Sequence, residues 1–409
     1  QPATVKMERS DISAMSVSIG VMMPLPLTGD GVGYTCSSLV SGMANADVHI
    51  SVVTPRCKLS LPSIDVVEVL PKWARYMPYR WVRGRSDQNL EDAFLARVSQ
   101  FQSHGRAAYI WPSASLGAIG EMRRRGLTIF REQFNCHTGA AKAILDDAYR
   151  RLGVDPAHTI SERTVDGERR ILDVVDHVFC PGPNVKRSLL ENGVDPIKLL
   201  PASYGWDPAR LAIRNRTVEP CDGITILFVG SICVRKGAHL LLDYWARSGI
   251  KGRLVLAGSM EPTIKDKCAD LLSREDVVVV DYSREIAGLY HAADAFFFPT
   301  LEEGSPLVVY EACGAGLPVV TTQMGAGEIV RQDIEGQVID PYDGDAWIAA
   351  IRLLAEDCDL RQRMSRAASD RARSYIWPAV AARRRRQIEL IFSEQPHSSE
   401  VESASESSA

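Results

Sequence analysis

No run of 18 consecutive apolar residues occurs in the 409-residue sequence, so no helix of ordinary length is expected to cross a membrane. The longest candidate, 17–27, is interrupted by Pro24 and Pro26 and reads as a first buried strand rather than a signal segment. There is no Cys-x-x-Cys pair. The nine cysteines stand singly, at 36, 57, 136, 180, 221, 233, 268, 313 and 358. That pattern argues against a disulfide scaffold or a Cys-based zinc site and suits a reducing, cytoplasmic setting. An excess of charge of one sign is missing too: 47 Lys and Arg face 51 Asp and Glu. No overall field recruits nucleic acid, which is not expected as a partner, and any anion must be met by local clusters. Neither half has Gly-x-Gly-x-x-Gly followed by an acidic residue about 20 positions on, which disfavours a nicotinamide-dependent oxidoreductase or a simple dinucleotide-binding module.

What is present is alternation. Apolar residues make up 45% and charged residues 24%, the balance of a globular α/β protein too long for one core. Short β-branched runs at 16–23, 47–54, 63–69, 107–111, 127–133, 177–181 and 198–202 are separated by helical patterns near 33–44, 89–101, 115–124, 139–152 and 183–193. After a break rich in Pro, Arg and Asn, the alternation restarts with strands at 224–230, 253–259, 277–281, 294–300, 318–322 and 337–340. The expected fold class is therefore α/β, with two Rossmann-like domains, 15–203 and 204–378, and a cleft between them. A last helix, 379–394, would cross their junction, and the polar ends 1–14 and 395–409 would be disordered.

The segment 296–322, FFFPTLEEGSPLVVYEACGAGLPVVTT, carries the clearest chemistry. A strand ends, an acidic loop follows, and Ser305 and Pro306 would open a helix as N-cap and first residue, with Gly316 as its stop. Backbone N–H groups near Leu307 and Val308 then make a phosphate site beside a strand end. Glu311, one turn on, would present two acceptor oxygens suited to a vicinal diol such as a ribose. Glu303, in the loop, could take hydroxyls of a sugar. A surface glutamate and an ordinary cap remain the plain alternative.

EEGSPLVVYEACGAGLPVV, with FVGSICVRKGAHLLLDYW at 228–245, resembles the donor half of the retaining GT-B glycosyltransferases known as family 4, and 177–208 is similar to that family's domain junction. The resemblance is close over 177–392 and loose before it. It implies a GT-B fold and transfer of a sugar from a nucleotide-sugar donor, UDP- or GDP-linked, to a glycan or lipid-linked acceptor with retention of configuration. The nucleotide sugar would be a substrate, with no cofactor and no bound metal. Through the resemblance, Glu303 and Glu311 are the E-x7-E pair and Lys236 neutralises the donor diphosphate. The family often has Arg after the strand's Gly230; here that position is Ser231, and Arg235 would supply the charge. Gly258 and Tyr282, at later strand ends, are placed to hold the base, or are ordinary loop residues. An epimerase or phosphorylase-like enzyme of the same fold is the rival chemistry.

The first half offers less. TGDGVGY at 28–34 is a glycine-rich turn in which Gly29, Gly31 and Gly33 would admit a diphosphate or acceptor, or form a simple loop. Arg131, Glu132, Asn135 and His137 cluster after the strand 127–133. The resemblance gives His137 a contact with donor sugar and phosphate; the alternative is a cap on the following helix. Residues 70–85, LPKWARYMPYRWVRGR, interleave Trp73, Tyr76, Tyr79 and Trp81 with five cations and no acid. This suggests peripheral contact with the inner face of a membrane, or aromatics packed into the core.

Overall fold

The strand pattern folds into two sheets, and their loops decide where chemistry can sit. The computed structural model describes residues 16–71, 73, 77, 79–112, 114–212, 218–219, 221–282 and 286–394, and within these only the backbone of 80–88. Both expected disordered ends lie outside the described residues. By contacts the chain divides into two units, residues 1–130 with 381–409 and residues 131–380.

The first sheet contains β1 (Val17–Met22), β2 (Val48–Thr54), β3 (Asp65–Glu68), β4 (Gly105–Ile110), β5 (Thr128–Glu132), β6 (His177–Cys180) and β7 (Leu199–Pro201), in the order β3-β2-β1-β4-β5-β6-β7. The second contains β8 (Ile224–Val229), β9 (Gly252–Ala257), β10 (Val277–Val280), β11 (Ala295–Phe298), β12 (Val319–Thr321) and β13 (Gly336–Val338), in the order β10-β9-β8-β11-β12-β13. Pairing is parallel, and β8 and β11 are buried along their whole length, as continuous apolar runs demand when helices cover both faces.

In the second sheet the chain winds outward from β8 in one direction and from β11 in the other, so the order reverses between them. Loops leaving the carboxyl ends of two such strands diverge onto opposite faces and leave a crevice, the usual ligand site of this architecture. Here those loops are 230–237 and 299–306. Sequence order alone does not say that these two, 69 residues apart in their first members, should meet. The sheet does.

Several expectations need correction. The turn at 28–34 is shorter than expected: Gly31 and Gly33 belong to the helix Gly31–Met43, whose N-cap is Asp30, and only Gly29 stays in the loop. The helix expected from 89 runs Tyr79–Val98. A helix that went unnoticed, Glu162–Val174, starts at a capping box in which Ser161 and Thr164 serve each other's backbone N–H. The last helix spans Trp377–Ser393; Arg384 on it is buried and donates to the Tyr109 hydroxyl at 2.8 Å.

Candidate active site

The site is assembled within residues 131–380 by the loops after β8 and β11. β8 ends in Gly230, whose missing side chain makes room for a cation: a Cβ there would stand 3.0 Å from Lys236 Nζ. Lys236 Nζ lies 3.1 Å from Glu303 Oε1, and Arg235 Nη1 lies 3.0 Å from the same oxygen. Two cations thus share one carboxylate oxygen, while Glu303 Oε2 accepts no hydrogen bond from a described residue. Burial would push Glu303 up, but Lys236 and Arg235 overrule it and hold it below the usual carboxylate range. Glu303 in turn pushes Arg235 upward, so both stay charged.

The helix that follows is Leu307–Gly314. Its N-cap is Pro306, not Ser305 as the sequence suggested, because Ser305 Oγ is engaged 2.9 Å from the Tyr310 hydroxyl. The shift leaves the helix end intact: Leu307 and Val308, its first two residues, come before the first intrahelical bond and their N–H groups remain available to an anion. Glu311 lies one turn on, buried, accepting from the Tyr290 hydroxyl at 3.1 Å with Arg210 Nε 3.8 Å away. Burial raises its pKa against the pull of Arg210 and Tyr290. Gly316, at φ +78°, ends the helix in the left-handed conformation expected of it.

Three other donor-site candidates are more loosely placed. Ser231 is exposed beside Gly230. A Cβ on Gly258 would come 2.1 Å from Gly230 O, so this glycine is required by the close approach of two strand ends. Tyr282 is 65% exposed, and the next residues, 283–285, lie outside the described residues.

A second polar cluster forms after β5. Its centre is Glu168, on the helix that the sequence did not reveal. Glu168 Oε1 accepts from Arg131 Nη2 at 3.2 Å and Gln133 Nε2 at 2.8 Å; Oε2 accepts from the Thr138 N–H at 2.6 Å. His137 is the N-cap of the helix Thr138–Arg151, its Nδ1 accepting from the Gly139 N–H at 3.1 Å, and its Nε2 stands 3.8 Å from Glu168. Burial holds the His137 ring below its ordinary pKa, so it is a neutral acceptor. Glu132 is buried and accepts from the Tyr204 hydroxyl at 2.9 Å.

The two clusters are stitched together by residues that sequence reasoning passed over. Cys136 Sγ donates to Glu302 Oε1 at 3.3 Å. Asn184 Nδ2 donates to the Glu303 carbonyl at 2.9 Å. Gly304 packs so tightly that a Cβ would stand 1.9 Å from Phe134 O and 3.0 Å from the Cα of Asn135, which is how Asn135 reaches the acidic loop. Gly29, Gly31 and Gly33 belong to the other unit. Of the aromatic stretch, Trp73 is exposed, whereas Tyr79 turns inward and donates to Pro24 O at 2.8 Å; Lys72, Arg75, Tyr76 and the side chains of Arg80, Trp81, Arg83 and Arg85 lie outside the described residues.

Two parallel sheets of Rossmann-like type, the second with its switch point between β8 and β11, define the fold class, GT-B. The solved structures agree on the fold. Sucrose-phosphate synthase from Thermosynechococcus elongatus superposes with a TM-score of 0.70 over 93% of this chain and 100% of its own, at 18% identity. HepE of Anabaena, solved in complex with UDP and glucose, gives 0.62 over 93% and 100%, at 13% identity. Residues 210–371, which hold the site, match the family described as glycosyl transferases group 1. Among curated proteins it is similar to the D-inositol 3-phosphate glycosyltransferases of Thermobispora bispora, 29% identical over 88% of this chain and 90% of that one, and of Salinispora tropica, 25% identical over 86% and 80%. Among the described residues no helix is long and apolar enough to cross a membrane, and no group of three or more His, Cys, Asp or Glu is arranged to hold a metal ion.

Proposed function

We propose that this chain transfers a sugar from a nucleoside-diphosphate sugar to an acceptor hydroxyl, with retention at the anomeric carbon and without a bound metal. The observation that carries the reading is the convergence of Lys236 and Arg235 on Glu303 beside the free end of the helix Leu307–Gly314. A diphosphate brings two or more negative charges, and this corner offers two cations and a helix dipole to meet them. Glu311, placed one turn along, takes the ribose diol. Glu303 has one oxygen on the cations and the other available to hydroxyls of the sugar. In this reading retention proceeds by front-face attack, with a donor phosphate oxygen receiving the acceptor proton as the nucleoside diphosphate leaves.

The donor class finds support in HepE, whose structures contain UDP and UDP-glucose. The names of the curated relatives direct the first acceptor trial to inositol 3-phosphate, beside glycan and lipid-linked saccharide acceptors. A lipid-linked acceptor would meet the chain at 70–85, where Trp73 is 58% exposed; co-sedimentation with anionic and neutral vesicles tests that contact, and binding indifferent to lipid charge refutes it. The functional test is release of nucleoside diphosphate from UDP- and GDP-sugars with and without acceptor, followed by assignment of the product's anomeric configuration by NMR. Release that requires acceptor, with the configuration kept, is expected. Interconversion of the donor sugar without release would identify an epimerase instead.

A further inference from the structure

Arg235 is held by more than Glu303. Its Nη1 donates to the main-chain carbonyl of Glu302 at 2.9 Å and lies 3.4 Å from Glu302 Oε2, in addition to its pairing with Glu303. Glu302 is 1% exposed and uses its other oxygen, Oε1, to accept from Cys136 Sγ at 3.3 Å. Burial pushes the Cys136 thiol far up, so it stays protonated and can donate. The next residue, His137, donates its N–H to Ser188 Oγ at 2.9 Å, which fixes the far side of the tie. A single buried carboxylate therefore joins the loop after β5 to a cation of the loop after β8.

The two adjacent glutamates divide the work. Glu303 faces Lys236 as well as Arg235, and in the proposed reaction its pairing with both must be shared with phosphate and sugar. Glu302 touches neither Lys236 nor any open oxygen. Its side chain reaches Arg235 and Cys136 without using the oxygen of Glu303 that Lys236 shares.

We propose that Glu302 is a positioning residue of the donor site, which sets the guanidinium of Arg235 for the donor diphosphate by clamping it against the Cys136 loop. The inference rests on the donor reading above. It also explains how a chain with Ser231 in place of the family's usual arginine keeps a second cation: Arg235 is supplied with its own dedicated carboxylate.

The test is a double-mutant cycle read by calorimetric titration with UDP and GDP, using whichever the wild-type chain binds. Glu302→Gln keeps the shape and removes the charge. It should weaken nucleotide binding about tenfold, the loss typical of one charge-assisted contact, and raise the donor KM by more than it lowers kcat. In an Arg235→Ala background the same change should alter affinity less than twofold, because the residue it acts through is gone. Wild-type affinity in Glu302→Gln overturns the proposal, as does an equal loss in both backgrounds, which would mark a purely structural role. If Glu302→Gln does not fold, Cys136→Ala reads the tie from the other end, with the same dependence on Arg235 expected and its absence decisive against. A wild-type chain that binds no nucleotide refutes the donor reading itself and this inference with it.

Discussion

Two buried glutamates 135 positions apart are held in opposite ways. Glu168 is saturated: Arg131 and Gln133 donate to one oxygen, the Thr138 N–H to the other, and His137 stands close by. Glu303 is shared between Arg235 and Lys236 on one oxygen and open on the other, at the mouth of two strand-end loops. A carboxylate whose oxygens are all spoken for inside the fold can only hold its neighbours. One whose partners are themselves suited to an anion, and which keeps an oxygen in reserve, can exchange them for a ligand. The difference is made by how the donors are shared: Arg131, Gln133 and a backbone N–H divide the two oxygens of Glu168, whereas Arg235 and Lys236 converge on one oxygen of Glu303.

The contrast can be broken most forcefully at Glu168. Glu168→Ala strands the buried Arg131 and frees the start of the helix Thr138–Arg151, and should cost about 3–5 kcal/mol of stability. Urea melts measure this, and a loss under 1 kcal/mol would show that Glu168 holds nothing. At Glu311 the expected effect is on binding instead. Glu311→Ala should weaken nucleotide affinity by about one to two orders of magnitude while leaving the melting temperature within a few degrees. A variant that melts early but binds normally would move Glu311 to the holding class.

Both glutamates bear on how much of this could be read beforehand. The strands were legible because parallel strands covered on both faces are written as unbroken apolar runs, such as ITILFV at β8, and the helix Leu307–Gly314 because Gly316 marks its end. Glu303, Glu311 and Lys236 were visible through a dense local motif. Glu168 was not, since nothing local marks it and its partners lie 30 to 37 positions away. Glu302 was hidden by its neighbour: two consecutive glutamates look alike in sequence, and only the fold shows that one is turned toward Cys136, 166 positions earlier. Ser305 was misjudged for the same reason, its hydroxyl being claimed by Tyr310 rather than by the helix end.

Protonation sharpens the comparison further. His239, just beyond Lys236, is buried with Nδ1 lacking any partner, and burial alone pushes its pKa down to about 4. A base with a depressed folded pKa favours the native state fully above its unfolded value. Stability should therefore be complete above about pH 6.5 and fall as the pH drops toward about 4, by up to about 3 kcal/mol. His137 shifts in the same direction and adds to the slope. Denaturant melts at pH 7 and pH 4.5 should differ less in His239→Gln than in the wild type; an unchanged difference would clear His239 of the effect. Smaller again is the cap: His137→Ala should cost about 1 kcal/mol. A fall in turnover beyond that, with nucleotide affinity intact, would add a contact with the transferred sugar, and a fall in melting temperature alone would leave His137 as a cap.

Lys236 and its neighbours are proposed to meet a nucleoside diphosphate, and calorimetric titration of the wild type and Lys236→Ala with UDP and GDP measures that directly. The wild type should bind one of the two, and Lys236→Ala should lose about 10- to 150-fold in affinity, the equivalent of ~1.5–3 kcal/mol, with its stability unchanged. Equal affinity in the two proteins would contradict the assignment of this corner as the donor site.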